Sequence, residues 1–104
     1  MSEEVIPVTL VSFRRWRDQP KTVFALFPEL PSDYQGRYCD SFEAIGQHAG
    51  ADYHLCVQAS VPVSAEDAAD LLRELQRIGY RLKVIKRASR RVHEARRATT
   101  RSLR

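Results

Sequence analysis

Both cysteines of the chain and two of its three histidines fall inside eighteen residues, CDSFEAIGQHAGADYHLC, running from Cys39 to Cys56. Thiols and imidazoles are the soft ligands of zinc and also the partners in an activated nucleophile. Cys39, His48, His54 and Cys56 have the composition of a Cys2His2 site. Structural zinc sites, however, space paired cysteines about two to four residues apart and paired histidines about three to five, whereas sixteen residues separate Cys39 from Cys56. If the stretch is strand, turn and strand with its return at Ala49-Gly50, Cys39 falls opposite Ser60, Glu43 opposite Cys56 and Ile45 opposite His54, with His48 beside the turn. The cysteines then lie about 13 Å apart along the sheet, beyond the roughly 7 Å between Cα atoms that a disulfide spans. The expectation is therefore no disulfide, no metal and no cofactor. The same pairing does gather Glu43, His54 and Cys56 on one face, a carboxylate and an imidazole beside a thiol. A thiol- or metal-dependent enzyme using those three is the alternative to a plain, half-covered sheet surface.

A stronger signal is the distribution of charge. From Arg81 to Arg104 there are ten basic residues against the single acid Glu94, a balance of +9, while the remaining eighty residues carry seven bases and twelve acids. A cationic segment attracts phosphates at long range and gains from the counterions they release. Arg81, Lys83, Lys86, Arg87, Arg90, Arg91, Arg97 and Arg101 are the candidate nucleic-acid-binding residues. In a helical tail Lys86, Arg90, Arg97, Arg101 and Arg104 share one side, and Arg87 and Arg91 flank it. An acidic partner protein could use the same cations. His93, alone among them, reads as a solvated surface histidine. A second cluster, Phe13-Arg14-Arg15-Trp16-Arg17, interleaves rings with cations in the manner of base-stacking surfaces, or closes a strand end with Phe13 in the core.

These residues need elements to position them. Residues 5–13, VIPVTLVSF, are rich in strand-forming side chains, and Asp18-Gln19-Pro20 signals a turn into a second apolar run at 23–27. The two predict an antiparallel hairpin. Prolines, a Ser-Asp pair and Gly36 make 28–38 a loop. Gly46 argues against a helix over 41–50, which leaves a strand there, with Gly46 and Gly50 as bulge and turn residues. In YHLCVQASV, Tyr53, Leu55, Val57, Ala59 and Val61 alternate with polar neighbours, the period of a strand. Ser64, followed by Asp67, opens a helix over 65–78. Its stripe is Ala68, Leu71, Leu72, Leu75 and Ile78, and Gly79 closes it. A last strand, YRLKVIK, turns Tyr80, Leu82 and Val84 inward and Arg81 and Lys83 outward. Beyond Arg87 the apolar residues Ala88, Val92, Ala95, Thr99 and Leu103 form a stripe too thin to dock tightly, so a basic helix fraying toward Arg104 is expected.

The sum is an α+β fold: a mostly antiparallel sheet of about five strands, the helix 65–78 on one face, a single domain over 1–87 and a basic extension over 88–104. At 104 residues one core is the limit. The first residues, broken by Pro7 and Ser12, read neither as a signal peptide nor as a membrane span, so a cytoplasmic protein without membrane contact is expected. The segments Phe13-Arg14-Arg15-Trp16, Ala25-Leu26-Phe27-Pro28-Glu29, Gly46-Gln47-His48 and LLRELQRIGY (71–80) together resemble a family of small, functionally uncharacterised bacterial proteins, some associated with mobile elements, over residues 13–85. That resemblance implies a cytoplasmic α+β domain and supplies no activity, cofactor or catalytic residue. The function expected is a non-catalytic binding module that contacts nucleic acid through its basic end, with a protein-interaction or adaptor module as the other non-enzymatic alternative.

Overall fold

β-Branched and aromatic side chains on the first two strands build the centre of the sheet. The computed structural model describes residues 8–33, 38–43 and 47–102. Strands β1 (Val8–Trp16) and β2 (Val23–Pro31) form the expected antiparallel hairpin, with Ser12 opposite Leu26 and Arg15 opposite Val23. The turn between them is closed by the Thr22 N–H donating to the Gln19 carbonyl at 2.9 Å. β3 (Cys39–Glu43) pairs with β2, and β4 (Gln47–Ala51) pairs with β3. A short helix α1 (Tyr53–Gln58) leads into β5 (Ser60–Pro62), then α2 (Ala69–Ile78), β6 (Arg81–Val84) and α3 (Arg90–Ser102). Both β5 and β6 use the remaining edge of β1, β5 antiparallel along residues 14–16 and β6 parallel along residues 8–11. The fold is thus α+β with a mostly antiparallel sheet. Among the described residues, no helix is long and apolar enough to cross a membrane.

Strand alternation sends β1 and β2 side chains to two faces, and each face has its own cover. Val11, Phe13, Ala25, Phe27 and Phe42 face α2, which contributes Leu71 and Leu75 along with Ala68 just before it. Each of the three phenylalanines is essentially solvent-free, and burial of such a side chain stabilises by about 1.5–3 kcal/mol. Ser64 Oγ accepts from the Asp67 N–H at 3.1 Å, as the capping pattern requires, but regular helix begins only at Ala69. At its far end, Gly79 adopts φ +123°, its N–H reaches the Gln76 carbonyl, and the Tyr80 N–H reaches the Leu75 carbonyl. These two bonds form a Schellman closure. Ile78, expected in the stripe, is exposed, and Val84 on β6 is also open to solvent.

The other face holds Phe24, Leu26, Cys39, Ala51 and Tyr53, with Trp16, Cys56, Val57 and Ala88 packed beside them. Its covers are α1 and α3. The basic extension is therefore no loosely held helix: His93, Arg96 and Thr100, at i, i+3 and i+7, are all buried. The stripe that docks α3 is polar, so counting apolar residues missed it.

Three further expectations fail between residues 28 and 58. The return in the Cys39–Cys56 stretch does not lie at Ala49-Gly50. Glu43 pairs with Gln47 and Cys39 stands opposite Ala51, which puts both Ala49 and Gly50 inside a strand. Gly46 falls outside the described residues. Gly50 lies within β4, where a Cβ would come within 2.7 Å of Ser32 Oγ, so glycine there permits a close approach. The segment read as an alternating strand from Tyr53 is helix through Gln58. Asp52 accepts from the Leu55 N–H at 3.1 Å as its N-cap, and Tyr53, Cys56 and Val57 also satisfy i, i+3 and i+4, so both periods fit this short run. The loop read over 28–38 is partly strand, because β2 continues to Pro31 through an irregularity between Phe27 and Pro31.

Candidate nucleic-acid interface

The candidate cations are carried by three consecutive pieces of chain. On β6, Leu82 packs into the core beneath α2, so its neighbours Arg81 and Lys83 present to the opposite face, the one α3 covers. Both are exposed. The chain then crosses β1: the Ile85 N–H donates to the Val11 carbonyl at 2.8 Å, Ser12 Oγ donates to the Lys86 carbonyl at 3.2 Å, and the Ala88 N–H donates to Tyr53 Oη at 2.6 Å. Lys86 and Arg87, both exposed, are thereby fixed above that same face. In α3 the buried residues point to the sheet, while Arg90, Arg91 and Arg97 remain exposed. Arg101 lies in the last turn of α3, and Arg104 lies outside the described residues. Arg90 Nε is 3.3 Å from Glu94 Oε1, an exposed pair at i, i+4, which offsets part of its charge.

Arg96 is the exception among the basic residues. Only 2% of it is accessible, and its Nη1 donates to the Pro28 carbonyl at 2.6 Å and to His93 Nδ1 at 2.8 Å. Pro28 lies in the irregular part of β2 between Phe27 and Pro31, and a buried carbonyl there needs a donor from outside the ladder. Arg96 supplies it. The contact also fixes the state of the imidazole, since Nδ1 must be an acceptor and His93 neutral. Burial, then the neighbouring Arg96, His54 and Arg97, push His93 down to about 4. Its ring packs edge-on to Tyr53 at 4.7 Å and lies 5.1 Å from His54. The expectation of a solvated His93 is thus reversed.

Arg14, expected only as one cation of the Phe13–Arg17 cluster, has a structural role instead. It is buried, and its guanidinium donates to Ser60 Oγ at 2.6 Å, the Ser60 carbonyl at 3.1 Å and the Val57 carbonyl at 3.2 Å, while Arg17 Nε donates to the Gln58 carbonyl at 3.2 Å. These two arginines satisfy carbonyls at the end of α1, where cations are favoured. A signal existed in the alternation of Arg14 and Trp16 with Phe13, but the partner carbonyls become visible only once α1 folds over β1.

The described residues of the Cys/His stretch lie on different elements from those the strand pairing required. Glu43 ends β3 in register with Phe24 and Gln47 and lines a hollow with Lys21, Asp67 and Asp70, whereas His54 and Cys56 ride on α1. Placing Cys56 in a helix removes the register that set it opposite Glu43. His48 lies in β4 opposite Phe42. Cys39 and Cys56 are free thiols, Cys39 within one apolar cluster and Cys56 packed against it. Burial pushes Cys39 up to about 12, and burial followed by the Asp52 charge raises Cys56. Both shifts disfavour a nucleophilic thiolate. Among the described residues, no group of three or more His, Cys, Asp or Glu side chains is placed to hold a metal ion.

Compared with known proteins, the chain matches no family model, no curated protein and no solved structure.

Proposed function

We propose that this chain is a cytoplasmic, non-catalytic binding module that contacts nucleic acid through the cationic surface built by β6, the crossing at 85–88 and the outer side of α3. The observation that carries the proposal is the arrangement of Arg81, Lys83, Lys86, Arg87, Arg91 and Arg97. All are exposed, on consecutive chain segments on one side of the sheet, and Glu94 is the only acid in that part of the sequence. Phosphate contacts of this kind supply affinity without sequence preference and weaken steeply as salt rises.

The test is a salt titration of binding to random-sequence DNA and RNA. The logarithm of affinity should fall linearly with the logarithm of salt. Replacing Lys83, Arg87 and Arg91 together by Gln should flatten the slope by about two to three. Substitution suits this test better than deleting 88–104, because deletion would strip the cover from the sheet. Absence of binding at low salt, or a slope the triple variant leaves unchanged, would overturn the proposal. So would polyglutamate competing as well as nucleic acid at equal charge, which would assign the surface to an acidic protein partner.

A further inference from the structure

Trp16 ends β1 on the same face as Ser12 and Arg14. Its ring stacks on Phe24, with centroids 4.1 Å apart and planes 16° from parallel, so the core holds the indole in one orientation. The indole is only half-buried. The surface it leaves open lines a hollow of about 480 Å³ shared with Arg17, Asp18, Gln19 and Ala59, within the size range of small-molecule clefts, about 300–1,000 Å³. A preordered ring, a guanidinium, a carboxylate and an amide around one hollow are the elements of a nucleobase site. The ring accepts a base face, the cation the adjacent phosphate, and Asp18 and Gln19 the amino and carbonyl groups of a base edge. Among the described residues Arg17 makes no ion pair.

The hollow lies farther along the same strand that the cationic segment crosses. Lys86 crosses β1 at Ser12, four residues from Trp16, or about 13 Å along the strand. Arg14 lies between Ser12 and Trp16 on the same face of β1. Phosphates following Lys86, Arg87 and Arg17 would bring a base to Trp16. A duplex cannot offer that base, because its faces are already stacked within the helix.

We propose that Trp16 is a stacking platform for an unpaired nucleobase, so that the nucleic acid this chain takes is single-stranded, with Arg17 on the phosphate beside the stacked base. The inference rests on the function proposed above, and the experiment separates the two. Trp16 is the single tryptophan of the chain, so its fluorescence reports the site directly. The full chain is titrated at low salt with a thymidine oligomer and with a hairpin duplex of equal charge whose loop is a non-nucleotide linker, so that it offers no unpaired base. The oligomer should quench Trp16 and bind roughly tenfold more tightly than the hairpin. Trp16→Leu should lose about that factor for the oligomer alone. Its unchanged affinity for the hairpin certifies the fold, and Trp16→Phe, which keeps a ring on Phe24, should retain part of the preference. Binding of both probes with equal affinity, or without change in Trp16 fluorescence, overturns the stacking inference and leaves the cationic surface standing. If neither probe binds, both proposals fall.

Discussion

His93, expected to be a solvated surface histidine, is buried against Arg96, and the two side chains are hydrogen-bonded to each other. A guanidinium held between an imidazole nitrogen and the Pro28 carbonyl requires that imidazole to stay neutral. This requirement makes stability depend on pH. His93 is held near 4 in the folded chain, below the usual value of about 6.5 that it regains on unfolding. Between those values the unfolded chain binds more protons, so stability rises with pH. The contribution of His93 is complete above about 6.5 and is lost as pH falls toward 4. Urea midpoints measured between pH 7 and 4 should therefore fall more steeply for the natural chain than for His93→Gln, whose amide can still accept from Arg96. Parallel slopes for the two proteins would show that His93 ionises freely in the fold. Neither the burial nor the pairing was legible in the sequence, because both depend on where α3 lands.

At the scale of elements, the sequence was most legible where several local signals agree. The helix ending at Gly79 had a stripe, an opening Ser64 and a C-terminal glycine, and all three are used. The hairpin of β1 and β2 had two apolar runs and a turn signal between them. The segment beginning at Tyr53 had one signal, alternation, and that was compatible with two structures. The deciding residue is Asp52, whose side chain holds the Leu55 N–H. A six-residue helix has little stability of its own, so α1 depends on this cap, on the arginine donors at its other end and on Tyr53 in the core. Asp52→Ala should cost about 1 kcal/mol in chemical denaturation, and Asp52→Asn should recover most of it. An Asp52→Ala protein as stable as the natural chain would remove the cap from the account of α1.

For the whole molecule, the basic extension does two things with residues one position apart. The inner side of α3 completes the domain by covering a sheet face, and the outer side carries charge. Arg96 and Arg97 separate these roles. Arg96→Met should destabilise the chain by about 2 kcal/mol or more, since it leaves the Pro28 carbonyl without this donor in a dry site, while leaving the salt dependence of nucleic-acid binding nearly unchanged. Arg97→Gln should do the reverse, with stability within about 0.5 kcal/mol and a salt slope smaller by about 0.7–0.9. Denaturation midpoints and salt titrations on both proteins check this, and equal effects of the two changes on the salt slope would contradict the division.

The sequence by itself determined the α+β class, the central hairpin, the capped helix on one face and the concentration of cations at the end of the chain. These follow from periodicity, capping and charge, which act between residues close in sequence. Tertiary structure decided the rest: the register of β3 against β4, the helix at Tyr53, the burial of Arg14, His93 and Arg96, and the separation of Glu43 from His54 and Cys56. Each of these depends on which distant group fills a vacant hydrogen bond or an uncovered face. A carbonyl at Pro28 and a guanidinium at Arg96 are sixty-eight residues apart, and only the folded chain brings them together.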